Sequence, residues 1–303
     1  MRTVFTAAVM ACGLTFSGAA FAQGAPDFSK VEIVAQDLGN KTYMLTGQGG
    51  NITVAVGDDG ILMVDTQFAP LHDKIKAAIA KISPLPIKYA AITHYHGDHT
   101  GGIAPFVKDG VTVIAHPNIK KRLSEGTTNA LTGAKTAPVA ADALPTQTYT
   151  GDKASMAVKG RTAQIVHQPN AHTDGDSAIY FADANVLSTG DIVSIGNRYP
   201  NIDVGVNGNI KGIVAAVDNY IKMSNDQTKV VPGHGALMSK SDLVAYRNLL
   251  ATAQDRVATL IKEGKSEDEV VAAKPIQDLE KTAGANEQAT TNFLRLIYKS
   301  LKA

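Results

Sequence analysis

The stretch Thr93-His94-Tyr95-His96-Gly97-Asp98-His99-Thr100 places three imidazoles and one carboxylate within six consecutive positions. It follows Ile87-Lys88-Tyr89-Ala90-Ala91-Ile92, a run that reads as a buried strand. A solvated turn rarely concentrates histidine in this way. Imidazole nitrogen and carboxylate oxygen are, by contrast, the ligands that zinc and similar ions take. His94 and His96, two positions apart, can face the same way from extended chain, while Asp98 and His99 lie beyond Gly97, where the backbone can turn sharply.

Three more candidate ligands follow, each just beyond an apolar segment. His172 comes after Ala163-Gln164-Ile165-Val166, Asp191 after Val186-Leu187-Ser188-Thr189-Gly190, and His234 after Lys229-Val230-Val231-Pro232-Gly233. Ligands at strand exits converge on one edge of a sheet. The order His-X-His-X-Asp-His, then a lone His, a Gly-Asp and a Gly-His, resembles the metallo-β-lactamase superfamily, and the resemblance spans roughly 41–236.

That resemblance implies an α/β fold, a four-layer αββα sandwich, here with a helical C-terminal tail. It implies one metal site made by His94, His96 and His172, a second made by Asp98, His99 and His234, and Asp191 bridging them. Two ions would share and activate a water nucleophile, with Asp98 steering protons as the catalytic candidate. Asp65, at the end of the segment 61–64, would support the metal loop from behind. Zinc is the expected ion, although five imidazoles and two carboxylates could also hold iron or manganese. The substrate would be a small molecule.

Departures from each relative narrow the activity. Exported metallo-β-lactamases without a cysteine ligand share His94, His96, Asp98, His99, His172 and His234 but lack a bridging acid. Asp191 instead resembles glyoxalase II, lactonases and the phosphodiesterases of the superfamily. The Gly-Gly-Asn-Ile segment at 49–52 is more similar to exported lactamase-like hydrolases. The expectation is an exported binuclear hydrolase of a small acyl substrate, whether β-lactam, lactone or thioester. Alternatives are a phosphodiesterase, an iron-dependent persulfide dioxygenase with a single metal, and a non-catalytic metal-binding module.

Composition adds bounds. The 303 residues carry 29 Lys and Arg against 28 Asp and Glu, so bulk charge argues against nucleic acid or an anionic membrane as partner. Arg2, the apolar run 4–21 and Ala20-Phe21-Ala22 read as a signal peptide over 1–22, cleaved after Ala22, which predicts a periplasmic or secreted protein. A membrane anchor and a lipid-modified Cys12 compete with that reading, but Met10 suits a lipoprotein site poorly. Cleavage would remove the single cysteine, excluding disulfides and a thiolate metal ligand. Residues 23–303 then form one hydrolase domain with C-terminal helices over about 241–303. Oligomeric state is left open.

Along the chain, 31–34, 41–46, 52–56 and 61–64 read as strands, the last two as a hairpin about Gly57-Asp58-Asp59-Gly60. A helix over 71–82 and a strand over 87–93 then give a parallel crossover. The pattern continues with strands at 111–115, 157–158, 163–166, 178–181, 186–188 and 228–231 and a helix over 211–223. The tail predicts helices over 242–262, 267–272 and 287–302, capped by Ser239 or Ser241 and by Ser266. Small-residue and proline-rich 126–145 reads as a surface excursion contributing to a substrate rim, and 194–209 as a pocket wall. His116 reads as structural and His72 as a surface helix residue. His167 either orients the site or closes its strand.

Overall fold

Two sheets lie face to face and each carries helices on its outer side in the computed structural model, which describes residues 27–196 and 199–303. The expected signal peptide lies outside the described residues. The first sheet begins with β1 (Val34–Gly39), β2 (Thr42–Thr46), β3 (Ile52–Val56) and β4 (Ile61–Val64), each antiparallel to the one before. Helix α1 (His72–Ile82) crosses over to β5 (Ile87–Ala91), parallel to β4. Two short helices, α2 (Gly97–Thr100) and α3 (Ile103–Lys108), lead to β6 (Thr112–Ala115), parallel to β5. After α4 (Pro117–Glu125), the excursion carries a two-stranded ribbon, β7 (Thr127–Thr128) and β8 (Lys135–Thr136), before β9 (Gln147–Thr148) joins the sheet beside β6.

The second sheet runs β10 (Lys153–Val158), β11 (Arg161–His167), β12 (Ser177–Phe181), β13 (Val186–Ser188) and β14 (Lys229–Val231). Its first four strands are antiparallel neighbours, and α5 (Ile210–Met223) makes the crossover that sets β14 parallel to β13. The tail is helical: α6 (Lys240–Lys262), α7 (Glu267–Ala272), α8 (Glu280–Ala283) and α9 (Glu287–Lys302).

Three apolar cores separate the four layers. Ile75 and Ile79 of α1, Phe106 of α3 and Leu123 of α4 pack on Val54, Met63 and Val113 of the first sheet. Leu62, Val64 and Ile114 meet Ile165, Ile179, Phe181 and Val231 between the sheets. On the far side Val217 and Tyr220 of α5, Leu250 of α6 and Phe293 and Ile297 of α9 cover Ala178, Leu187 and Val230. Being covered on both faces is why β3 and β4 are buried at every position and read as continuous apolar runs.

The first strand departs from expectation. Residues 31–33 are irregular, and the strand is Val34–Gly39 instead. The Lys74 ammonium donates to the carbonyls of Phe28, Ser29 and Val31 at 2.9, 2.6 and 2.8 Å, which takes up backbone acceptors of that segment. The true strand lies at the sheet edge and is exposed except at Leu38, so it carries no apolar alternation to read. The caps of the tail match their sequence signals: Ser239 and Ser266 each accept from the backbone N–H three residues on, and Asp242 and Glu269 reciprocate. Among the described residues, no helix is long and apolar enough to cross a membrane.

Candidate metal centre

The candidate ligands gather where the parallel strands end. His94 follows β5, Asp191 sits in a single 3-10 turn after β13, and His234 follows β14. His172 lies in the loop between β11 and β12, and α2 carries Asp98 and His99. These loops are stitched to one another by backbone bonds. Asn51 donates its N–H to Gly233 O at 2.7 Å and its side-chain amide to Pro232 O and Gly235 O, so the Gly-Gly-Asn-Ile segment fastens the first sheet to the His234 loop. Two glycines permit the close approach: a Cβ on Gly50 would stand 2.1 Å from His99 Cε1, and one on Gly233 would stand 2.0 Å from Asp191 Oδ1.

Two groups result. His94, His96, His172 and Asp191 form one, and Asp98, His99 and His234 form the other; within each group the donor atoms lie within 4.8 Å of one another. Asp191 stands between them. Its Oδ2 is 4.0 Å from His94 Nε2 and 3.4 Å from His234 Nε2, and its Oδ1 is 3.2 Å from His99 Nε2. All seven predicted residues are therefore brought to one place.

The outer hydrogen bonds fix which nitrogen of each ring faces inward. Asp65, at φ 63°, accepts from the Thr93 N–H and from Thr93 Oγ1, both at 2.8 Å, and from His99 Nδ1 at 2.7 Å. Since Thr93 Oγ1 gives its proton to Asp65, it accepts from His94 Nδ1 at 3.1 Å. His172 Nδ1 donates to Asn201 O at 2.8 Å, and His96 Nε2 donates to Asp203 Oδ2 at 3.1 Å. In neutral rings so held, His94 Nε2, His96 Nδ1, His172 Nε2 and His99 Nε2 all present lone pairs.

Those lone pairs point at one another. His96 Nδ1 and His172 Nε2 are 3.0 Å apart with no proton assigned to either, while His94 Nε2 and Asp191 Oδ1 are buried without a hydrogen-bond partner. Buried acceptors that face each other repel unless a cation sits between them. The donor set therefore fits divalent ions, and second-sphere partners that lock ring orientation are the usual accompaniment of histidine ligands.

Electrostatics divide the groups. Burial, reinforced by the neighbouring histidines, pushes His94 well below the usual imidazole range and His172 down to about 4. His99 and His234 go the other way: against burial, the carboxylates of Asp191 and Asp65 hold His99 well above its usual value, and Asp191 and Asp98 raise His234 to about 9. Asp98 is drawn down to about 2 in spite of burial by its 3.0 Å contact with His234 Nε2.

Asp203 is the residue that sequence reasoning missed. It lies within the wall segment 194–209, and its Oδ2 takes bonds from His96 and from the Tyr95 hydroxyl. Despite burial, those two bonds keep its carboxyl below the usual range. The only signal was its acidity in an Asn- and Gly-rich loop. His116 and His167 stay out of the centre and stack on each other, centroids 3.8 Å apart, with His116 capping α4 through Asn118 N–H. His167 Nδ1 donates to Asp176 O at 3.0 Å, closing its strand. His72 corrects its surface assignment: its ring is largely covered, bonded to Asp73 and Asp109 and edge-on to Phe106, because α3 packs over the start of α1.

Beside the first group a cavity of about 350 Å³ opens, lined by Tyr95, His96, α4, residues of the excursion and, from the segment 194–209, Asn201 and Asp203.

Comparison with known proteins places this architecture. The family model described as the metallo-beta-lactamase superfamily matches residues 45–234. Among curated proteins, the lactamase-like protein aptB of Emericella nidulans is 28% identical over 68% of this chain and 58% of its own length. The atrochrysone carboxyl ACP thioesterase of Aspergillus fumigatus is 24% identical over 73% and 46%, and the linear primary-alkylsulfatase of a Pseudomonas species 25% over 70% and 47%. The chain spans about half the length of the curated relatives it matches. Among solved structures, a metallo-beta-lactamase from Pontibacter korlensis has a TM-score of 0.59 at 18% identity, covering 73% of this chain and 99% of that one. The sec-alkylsulfatase Pisa1 from a Pseudomonas species has a TM-score of 0.67 at 18% identity, over 88% and 50%. The chain belongs to the metallo-β-lactamase superfamily.

Proposed function

We propose that the protein is an exported binuclear metal hydrolase of a small acyl substrate. His94, His96 and His172 hold one ion, Asp98, His99 and His234 the other, and Asp191 faces both. The observation that carries this reading is the convergence of the His94, His96 and His172 lone pairs beside Asp191, with His94 and His172 fully buried and His99 and His234 on the other side of that carboxylate. When bound, two divalent ions supply a water nucleophile whose pKa falls from near 15.7 toward roughly 7, together with Lewis acidity at the substrate oxygen. The chain's own residues orient and exclude. Asp65, Asp203 and the Asn201 carbonyl fix the rings, and Asp98 is the more exposed carboxylate of the centre, placed to accept a proton at Oδ2. Zinc suits the histidine-rich set, and the two carboxylates leave iron and manganese as competitors.

The relatives named above include a thioesterase, an alkylsulfatase and lactamase-like proteins, which supports a hydrolase while leaving the scissile bond to experiment. A near-neutral chain supports an acyl over a phosphodiester substrate. Export is supported by Arg2, the apolar run and Ala20-Phe21-Ala22. N-terminal sequencing of periplasmic protein from a Gram-negative host should find Gln23; Met1 would defeat export, and a lipidated Cys12 would defeat cleavage after Ala22. A panel of cephalosporin, lactone, thioester, alkyl sulfate and aryl phosphodiester, with and without chelator, tests the activity. Chelator-sensitive turnover of an acyl substrate is expected. Turnover confined to the sulfate or phosphodiester would refute the acyl reading.

A further inference from the structure

We infer that the cavity beside His96 is the subsite for the substrate's acyl group, and that it selects uncharged acyl chains over chains ending in a carboxylate. This rests on the hydrolase reading above. The cavity touches His96 of the first ligand group and the adjoining Gly97 directly, so a chain lying in it can set its carbonyl end at the metal centre. At about 350 Å³ it falls within the span of small-molecule pockets, roughly 300–1,000 Å³.

Its lining decides the chemistry. Leu123, Ala137, Val139 and Ala143 give it apolar walls, so an aliphatic chain gains by burial there. Its two charged residues are already engaged. Arg122 is held through Nε and Nη2 by the buried carboxylate of Asp174, and Asp203 is held by His96 and Tyr95. Counting Asp174 behind Arg122, two carboxylates stand against one guanidinium. An incoming carboxylate would have to be desolvated beside Asp203 and would find the cation already paired. An uncharged chain meets neither cost. Ala137, Val139 and Ala143 belong to the excursion between α4 and β9, so these apolar walls can be changed without touching the ligand set.

The test uses thioesters of N-acetylcysteamine on the metal-loaded protein. Pentanoyl and glutaryl thioesters have the same chain length and differ by a terminal methyl against a carboxylate. Pentanoyl should be preferred in kcat/KM by about tenfold or more, given the cost of burying an unpaired charge. Ala137→Trp, filling the cavity, should lower kcat/KM for pentanoyl about tenfold more than for acetyl, as loss of a chain-binding pocket does. A second readout needs no turnover. The chain contains no tryptophan, so Ala143→Trp installs a single reporter on the cavity wall. Its emission should titrate with pentanamide and not with glutarate. Equal or better use of glutaryl, an unchanged acetyl-to-pentanoyl ratio in Ala137→Trp, or an equal fluorescence response to glutarate would overturn the subsite. Failure to hydrolyse any acyl substrate, cephalosporin and lactone included, would instead remove the hydrolase reading, and the fluorescence titration would still decide whether the cavity takes uncharged chains.

Discussion

The two ligand groups meet at Asp191 but are prepared in opposite ways. In the first, burial keeps His94 and His172 unprotonated and each ring is locked from behind by Thr93, Asp203 or the Asn201 carbonyl. Its lone pairs are ready for an ion. In the second, Asp65, Asp98 and Asp191 raise the affinity of His99 and His234 for protons, and in metal-free protein those protons balance the carboxylates. An ion there must displace them. On the proposed binuclear reading, the same residue types give one preorganised site and one that exchanges protons for metal, and carboxylates make the difference.

The largest expected effect comes from removing the residue common to both. Asp191→Asn keeps the shape and deletes the charge, so both ions should bind more weakly and turnover should fall. Outer-sphere changes cost about 10- to 100-fold, which sets a floor for this one. Steady-state kinetics with elemental analysis would check it; full activity with full metal content would reduce Asp191 to a strand-end residue. Next, Asp203→Asn should weaken the first group alone by about 10- to 100-fold in chelator competition, since it touches only His96 among the ligands. An equal loss at both groups would break the distinction.

A smaller and graded effect is the pH dependence. His234 in metal-free protein titrates near 9, so below that pH it carries a proton that the ion must displace. Second-group affinity should therefore fall as pH drops from about 9, by up to about tenfold per unit for each proton released. His172 at about 4 and His94 below the usual range hold no proton to displace at neutral pH, so they add no such slope to the first group. Calorimetry in buffers of different ionisation enthalpy would measure the proton release. Smallest is the tail: Ser239→Ala removes a capping box far from the ligands and should cost about 1 kcal/mol in thermal unfolding without changing metal affinity.

Legibility in the sequence followed the same physics as these effects. The seven ligands could be read because four sit in one short run and the others stand beyond apolar segments; the parallel strands β13 and β14 deliver Asp191 and His234 to one edge, and the loop leaving β11 brings His172 there. Ser239 and Ser266 could be read because capping is local. Asp203 could not, since its bond to His96 spans 107 residues and depends on how an irregular loop folds back. The edge strand Val34–Gly39 was hidden by its exposure, and α3 and α4 also went unread. His72 was misplaced because only the packing of α3 covers it.

The central claim is that two ion sites of unequal proton cost stand side by side. Elemental analysis after equilibrium dialysis of the protein against limiting Zn²⁺, at about pH 9 and again at about pH 6, tests it most directly. Two ions per chain at the higher pH, falling toward one at the lower pH with the first group retained, is the predicted result. One ion per chain at both values, or loss of both ions together, would contradict it.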